Sequence, residues 1–532
     1  MTTPTDTSTP ADAPDERAAR RGRPSTPAIV AALIVGAFAV LALVFVFRGR
    51  LNADEGWYLY DGRLAWRGQL PYRDFAFTQM PLTAYVYGLL QTITPSIFLG
   101  RLTSLVFAVA AVALCTRVAW REAGRAAGIA VALLSVAFPV GVYNLTLVKT
   151  YAIAAFMLAA VLACLTSPGR PARMWTLATA AAFGLLLTRT TGLPVTVLVV
   201  LFCVVRAPDR ATRRNVAWCT LAGIVATLAL PLAAPSSARY NLFTFHDLLW
   251  HGADLRTRVD EILRTRVEDW VRDYPAYLAL AVAVLVAVCW SARLRAYLRR
   301  QPGVTIVAVG IAGMLLSQLV GGEWAPVEYF TPVVPPLLAV SIVMLVQAVR
   351  PDDGWSAHRG LVAGAALAVA AVGVTTLFYP GAGEYFTSPG DAGSVQEAGR
   401  IADMLRAHTR AGDLVLTMWA QPSGLESGRD QVDGVTMGVF SYEDLTLRQA
   451  RDYHFVNRAM LRSMLRRREP AAVVFTGVDE LVFGRQGAFS PLPRDPEEIF
   501  GELAGRYRLV DTARTYGVNE QTWVRIYVRV RR

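Results

Sequence analysis

At 532 residues, 54% hydrophobic and only 18% charged, the chain is too apolar for a soluble protein and reads as a polytopic membrane protein. Its net charge of +12 does not point to nucleic acid, because the basic residues gather in every second connection between apolar stretches rather than in one patch. The five cysteines lie within or beside those stretches without metal-ligand spacing, so neither a disulfide framework nor a zinc site is implied.

Residues 1–27, rich in Thr, Pro, Ala and Asp, predict a disordered cytoplasmic tail. The apolar run that follows is longer than a signal-peptide core, and the reading retains it as a first span. About eleven apolar stretches recur between residues 28 and 379, each near the ~20 residues that a bilayer requires. They are 28–47, 97–116, 126–143, 147–166, 176–192, 193–205, 215–234, 276–292, 303–320, 333–349 and 361–379. The arginine clusters Arg17–Arg23, Arg117–Arg125, Arg170–Arg173, Arg206–Arg214, Arg293–Arg300 and Arg350–Arg359 predict which connections stay inside. An odd span count then puts the N-terminus in the cytoplasm of a multi-pass plasma-membrane protein, and everything after Tyr379 outside.

The first external loop, 48–96, carries the adjacent acids Asp54 and Glu55 and then the aromatics Trp57, Tyr58, Tyr60 and Trp66. A turn at Gly68–Pro71 and the run Tyr72-Arg73-Asp74-Phe75 come next. Asn52 and Glu55 have capping-box spacing, and acids suit the first turn of a helix, so the pair has a purely structural reading. The chemical reading places Asp54, Tyr58 and Asp61 on one helical face. A carboxylate fixed there, at headgroup depth, can take a proton from an incoming hydroxyl. Residues 82–94 predict an interfacial helix.

Residues 380–532 alternate helical and strand-like segments. Helix is predicted over Ser394–Thr409, Tyr442–Arg468 and Pro496–Gly505, and strand over Asp413–Met418, Ala471–Gly477, Arg506–Arg514 and Thr522–Arg529. This is a small extracytoplasmic α/β domain without a phosphate loop or dinucleotide fingerprint. The arginine-rich run Arg462–Arg468 reads as a solvated face, or one that meets anionic lipid or glycan.

Asp54-Glu55 after a first span, followed by Gly68-Gln69-Leu70-Pro71-Tyr72-Arg73-Asp74-Phe75 and Pro81-Leu82, resembles the first external loop of GT-C glycosyltransferases. The protein O-mannosyltransferase and aminoarabinose transferase group is the most similar. The likeness continues through Gly100-Arg101-Leu102, Leu187–Gly192 and Tyr329-Phe330-Thr331-Pro332, and covers the membrane part only. It implies a GT-C-type helical domain, a sugar donor carried on polyprenyl phosphate, and an acid of this loop as catalytic base. Aminoarabinose transferases have Glu-Lys where this chain has Gln79-Met80, and an Arg where it has Trp57. A metal site of their kind therefore has no support in these residues, and no cofactor is implied.

Asp54 is expected as the base, with Glu55 supporting it and Asp74, Tyr58, Glu328 and Tyr329 positioning the acceptor or substrate. Lys149 is the one lysine in the chain, every other basic residue among the 53 being arginine. It opens the fourth span on the outer side, where a lysine either snorkels or meets a lipid phosphate. Arg189, inside an apolar stretch, is costly unless paired or facing a cavity, and Arg101 begins the second span at the same level. These three are expected to hold the donor phosphate as its charge grows. Glu323 and Trp324 share the loop of Glu328, where Trp and Tyr also fit an aromatic belt. His246 and His251 flank Asp247 in a long loop and read as solvated.

The expected function is transfer of a sugar, hexose or pentose, from polyprenyl phosphate to a cell-envelope glycan, lipid or protein. The partners are then the lipid-linked sugar, membrane lipids and that acceptor. Two alternatives belong to other classes: a transporter or flippase for a lipid-linked or anionic substrate, and a non-catalytic cell-envelope assembly factor. The transporter predicts duplicated halves or broken helices at the midplane.

Overall fold

The structure, a computed structural model, describes residues 26–248, 253–261, 264, 275–321, 327–349, 385–490, 492–517 and 522–530. The predicted tail to residue 25, the stretch 361–379, His251, Glu323 and Trp324 lie outside the described residues.

Lipid offers no partners for backbone groups, so long apolar sequence closes its hydrogen bonds internally as helix. Among the described residues, four helices are long and apolar enough to cross a membrane: Thr26–Arg48, Ile97–Ala123, Arg210–Ala233 and Glu328–Val349. Two bent pairs raise this to six if each counts as one span. Arg125–Val136 meets Pro139–Thr146 at 74°, and Ala279–Trp290 meets Ala292–Arg300 at 93°. Pro139 accounts for the first break, because it has no N–H for the preceding turn. Shorter apolar helices, Tyr151–Leu165, Ala172–Thr188, Thr190–Arg206 and Pro302–Gln318, fill the remaining described stretches. Every predicted stretch up to 333–349 is thus mainly helical, but several helices are too short to cross unaided.

Two breaks matter for function. The predicted span 147–166 becomes a helix only at Tyr151, leaving Lys149 on the connector before it. Arg189 does not continue its helix either; its backbone is extended, with φ −146° and ψ 133°. Irregular backbone inside a membrane domain is tolerated where it is buried in protein or lines a cavity.

The loop after the first span folds into the helix Ala53–Trp66, begun by the expected capping box of Asn52 and Glu55. It packs on Leu82–Gln91, the predicted interfacial helix. A Cβ on Gly88 would lie 2.1 Å from the Gly62 carbonyl oxygen, so the backbones meet where neither residue has a side chain.

The C-terminal part holds a five-stranded sheet in the order β2-β1-β3-β5-β4: β1 Leu414–Thr417, β2 Asp430–Gln431, β3 Ala472–Thr476, β4 Tyr507–Tyr516 and β5 Thr522–Arg529. β1 pairs in parallel with β2 and β3, while β5 runs antiparallel to β3 and β4. The all-apolar β3, AVVF followed by Thr476, is buried throughout, as a central strand must be. The predicted helix Tyr442–Arg468 is divided. Leu447–Tyr453 ends at His454 (φ 65°), and Asn457 caps a second helix, Arg458–Arg467. The arginine run forms a partly exposed, ion-paired face: Arg462 and Arg466 pair with Glu502 and Arg467 with Glu469, while Arg466 and Arg467 remain exposed.

This domain is bonded to the membrane part at several points. The Thr387 N–H donates to the Arg48 carbonyl (2.7 Å), the Leu51 N–H to Gly393 (2.7 Å), and the Gln431 N–H to the Tyr60 hydroxyl (2.9 Å). The Ile97 N–H donates to Glu426 Oε1 at 2.7 Å. A Cβ at Gly56 would fall 2.0 Å from Gln421 Oε1, so the loop helix lies hard against Gln421–Ser427. The sheet domain is held directly over the first loop.

Candidate active site

Between the two parts lies a cavity of about 720 Å³. Its floor is made where helices break. Asp54 sits in the first turn of the capped loop helix, Lys149 on the connector before Tyr151, Arg189 at the end of Ala172–Thr188, and Glu328 in the 3₁₀ turn Val327–Val333.

Lys149 Nζ lies 2.9 Å from Asp54 Oδ2 and 2.8 Å from Glu328 Oε1. Tyr151 donates its hydroxyl to the same Glu328 oxygen at 3.0 Å. The Trp57 indole donates to Asp54 Oδ1 at 3.3 Å. Arg189 is bound differently: it donates to Thr150 Oγ1 at 2.7 Å and to Gln318 Oε1 at 2.9 Å. Its guanidinium lies over the rings of Tyr151 and Tyr329, 5.4 and 5.5 Å from their centroids. Among the described residues Arg189 has no carboxylate partner, whereas Lys149 has two.

Six of the expected site residues therefore come together: Asp54, Tyr58, Lys149, Arg189, Glu328 and Tyr329 all line the cavity. Tyr58 stacks on Trp57 at 3.8 Å, and burial, reinforced by the Asp54 charge, raises its pKa so that it stays a neutral phenol. Its hydroxyl makes no hydrogen bond among the described residues.

Three expectations are corrected. Arg101 is fully buried against Glu55, with N–O distances of 2.6 and 2.8 Å, and its remaining donors reach the carbonyls of Phe45, Gly49 and Arg50. A guanidinium so saturated pins the first span to the second and has no donor for a phosphate. Glu55 is occupied in turn by Arg101, by the Asn52 N–H of the capping box, and by the Val148 N–H at 3.2 Å. It positions its neighbours and does not face the cavity. Asp74 pairs with Arg73 at 2.9 Å and accepts the Leu70 N–H at 2.7 Å, holding a turn outside the cavity. Asp61 shares the helix of Asp54 two turns further on, where it is fully buried and does not line the cavity.

Sequence reasoning missed Tyr151, Gln318 and His246. Tyr151 and Gln318 had a signal, being polar groups in apolar stretches. His246 was read as a solvated loop residue. Instead it lines the cavity with Nε2 2.9 Å from the Thr78 carbonyl oxygen, which can only accept, so Nε2 carries hydrogen. Burial lowers its pKa, which favours the neutral ring. Among the described residues no group of three or more His, Cys, Asp or Glu side chains is arranged as a metal site.

The architecture has counterparts among solved structures. ArnT from Cupriavidus metallidurans in the apo state aligns with a TM-score of 0.55 over 93% of this chain and 97% of ArnT, at 13% identity. The chain has the ArnT fold. The form of ArnT bound to undecaprenyl phosphate gives a TM-score of 0.50, over 94% of this chain and 97% of that one, at 14% identity. No protein-family model and no curated protein sequence matches the chain. The GT-C resemblance read in the first loop is thus borne out as fold, extending beyond the membrane part to the sheet domain that the loop motif did not cover.

Proposed function

We propose that this chain is an integral membrane glycosyltransferase that moves a sugar from a polyprenyl-phosphate donor to an acceptor outside the plasma membrane. The observation that carries the reading is the placement of Arg189, a cation without a carboxylate partner among the described residues, in the same cavity as the Asp54–Lys149–Glu328 cluster. Undecaprenyl phosphate bound to ArnT, which shares the fold, supports a lipid-phosphate donor. The further expectations, about eleven spans, a cytoplasmic N-terminus and an outer C-terminal domain, accompany this proposal.

In the proposed step, a hydroxyl oxygen of the acceptor attacks the anomeric carbon and the carbon–oxygen bond to phosphate breaks. Asp54 takes the hydroxyl proton, and the phosphate leaves on its polyprenyl chain carrying the released electron pair. Charge therefore grows on phosphate oxygens, where fixed cations give most. Two unit charges 4 Å apart interact by about 4 kcal/mol at an effective dielectric of 20. A phosphate competes with two carboxylates for Lys149 and with none for Arg189. Arg189 is accordingly the principal phosphate ligand, and Lys149 orders Asp54 and Glu328 while offering its remaining donor.

The test is transfer from a radiolabelled polyprenyl-phosphate sugar by purified protein with candidate envelope acceptors. Asp54→Asn keeps the shape and loses the proton acceptor, and is expected to slow transfer by at least ~10²-fold with normal membrane insertion. Wild-type turnover in that variant would return Asp54 to a purely capping role. Donor transport without sugar transfer would favour a flippase instead.

A further inference from the structure

The cavity has two unlike linings. Besides the charged floor it has an aromatic roof from the sheet domain: Trp419 between β1 and Gln421–Ser427, Phe440 in the turn Gly438–Ser441, and Phe489 after the helix Gly477–Phe483. These rings are held in place. Phe440 and Phe489 stack at 5.9 Å, and Phe245 of the membrane part meets Phe489 edge-on at 5.4 Å. Trp419 is anchored by its backbone N–H, which donates to Asp479 Oδ1 at 2.9 Å.

Trp419 is only partly buried, although Met418 and Ala420 on either side are buried. Its indole N–H makes no hydrogen bond among the described residues. Rigid aromatic faces beside one unused donor fit a ligand that is apolar on its faces and polar around its rim. A sugar ring has that character, because its axial C–H groups cover the faces while hydroxyls ring the edge. A phosphate fits the floor and not this roof, and a polyprenyl chain has nothing for the indole donor.

We propose that the roof is the acceptor subsite, and that the acceptor presents a sugar ring there, stacked on Trp419 and Phe440, with a hydroxyl toward the Asp54 end of the cavity. The inference rests on the glycosyltransferase reading of the floor and adds the chemical class of the acceptor. The sheet domain is then half of the active site.

The test uses the purified full chain and two separate probes. Saturation-transfer NMR with a panel of methyl glycosides and soluble disaccharides reports on the roof, and thermal stabilisation by undecaprenyl phosphate reports on the floor. Binding of one or more glycosides is expected, with the strongest transfer to protons of one ring face. Trp419→Ala and Phe440→Ala should weaken it about 10-fold, the scale of one lost aromatic contact. Trp419→Phe should retain most of it, and both Ala variants should keep wild-type stabilisation by undecaprenyl phosphate, which also shows that they fold. Glycosides that fail to bind wild type, or bind both Ala variants equally well, overturn the proposal. So does a short peptide panel that binds through the roof in their place. Loss of undecaprenyl phosphate binding in wild type would count against the reading of the floor, while the glycoside measurement still decides the roof.

Discussion

Arg189 and Lys149 show how neighbours divide the work between two cations that look alike in sequence. Lys149 sits between Asp54 and Glu328, at 2.9 and 2.8 Å, so its charge is balanced before any ligand arrives. Arg189 is held by neutral hydroxyl and amide oxygens and by two aromatic faces, so its charge remains available. Arg189→Gln is therefore expected to weaken undecaprenyl phosphate binding by about 10- to 100-fold, the range of a lost charged hydrogen bond. Lys149→Met should weaken it less. Instead it leaves two carboxylates facing each other, which favours protonation of one of them, so the acidic limb of the pH–rate profile moves to higher pH. Donor titrations and pH profiles of the two variants decide the matter, and the reverse ranking would restore Lys149 as the main phosphate ligand. The importance of both residues was legible, since each is an ionisable group among apolar neighbours. Their ranking was not, because it depends on Glu328 and Gln318, which lie far along the chain from either cation.

At the scale of elements, the site is made by interruptions. Sequence periodicity locates apolar stretches well, because burial in lipid requires them, but Arg189 and Lys149 function from the residues where helix stops. A run of apolar residues does not announce such a stop. The buried Arg101–Glu55 pair makes the converse point, since it looked like chemistry and proves to be a fastener between the loop helix and the second span. Removing one partner of a buried pair leaves an uncompensated charge and costs about 3–5 kcal/mol. Arg101→Met is expected to lower the yield and thermal stability of the solubilised protein, and Glu55→Gln added to it should recover part of the loss. An Arg101→Met protein that is fully stable but binds undecaprenyl phosphate poorly would return Arg101 to the phosphate.

Over the whole molecule, the proposed chemistry requires the cavity and the sheet domain to face outward. The alternating arginine clusters predict this through the positive-inside rule. Reporter fusions at Gly390, an exposed turn residue (φ 94°), should read as extracytoplasmic, and fusions in the N-terminal tail as cytoplasmic. A cytoplasmic Gly390 would reverse the topology and remove the donor from the cavity. The sequence by itself determined the membrane class, the helical stretches, the capped first-loop helix and the strand-forming C-terminal domain. Each of these follows from local composition and spacing acting over a few turns of chain. Tertiary structure alone decided which acids and cations meet, that Arg101 is spent on Glu55, that Asp74 stays outside, and that Trp419 of the sheet domain lines the same cavity. Those outcomes depend on contacts between residues tens to hundreds of positions apart, and hydrophobic periodicity carries no record of such pairings.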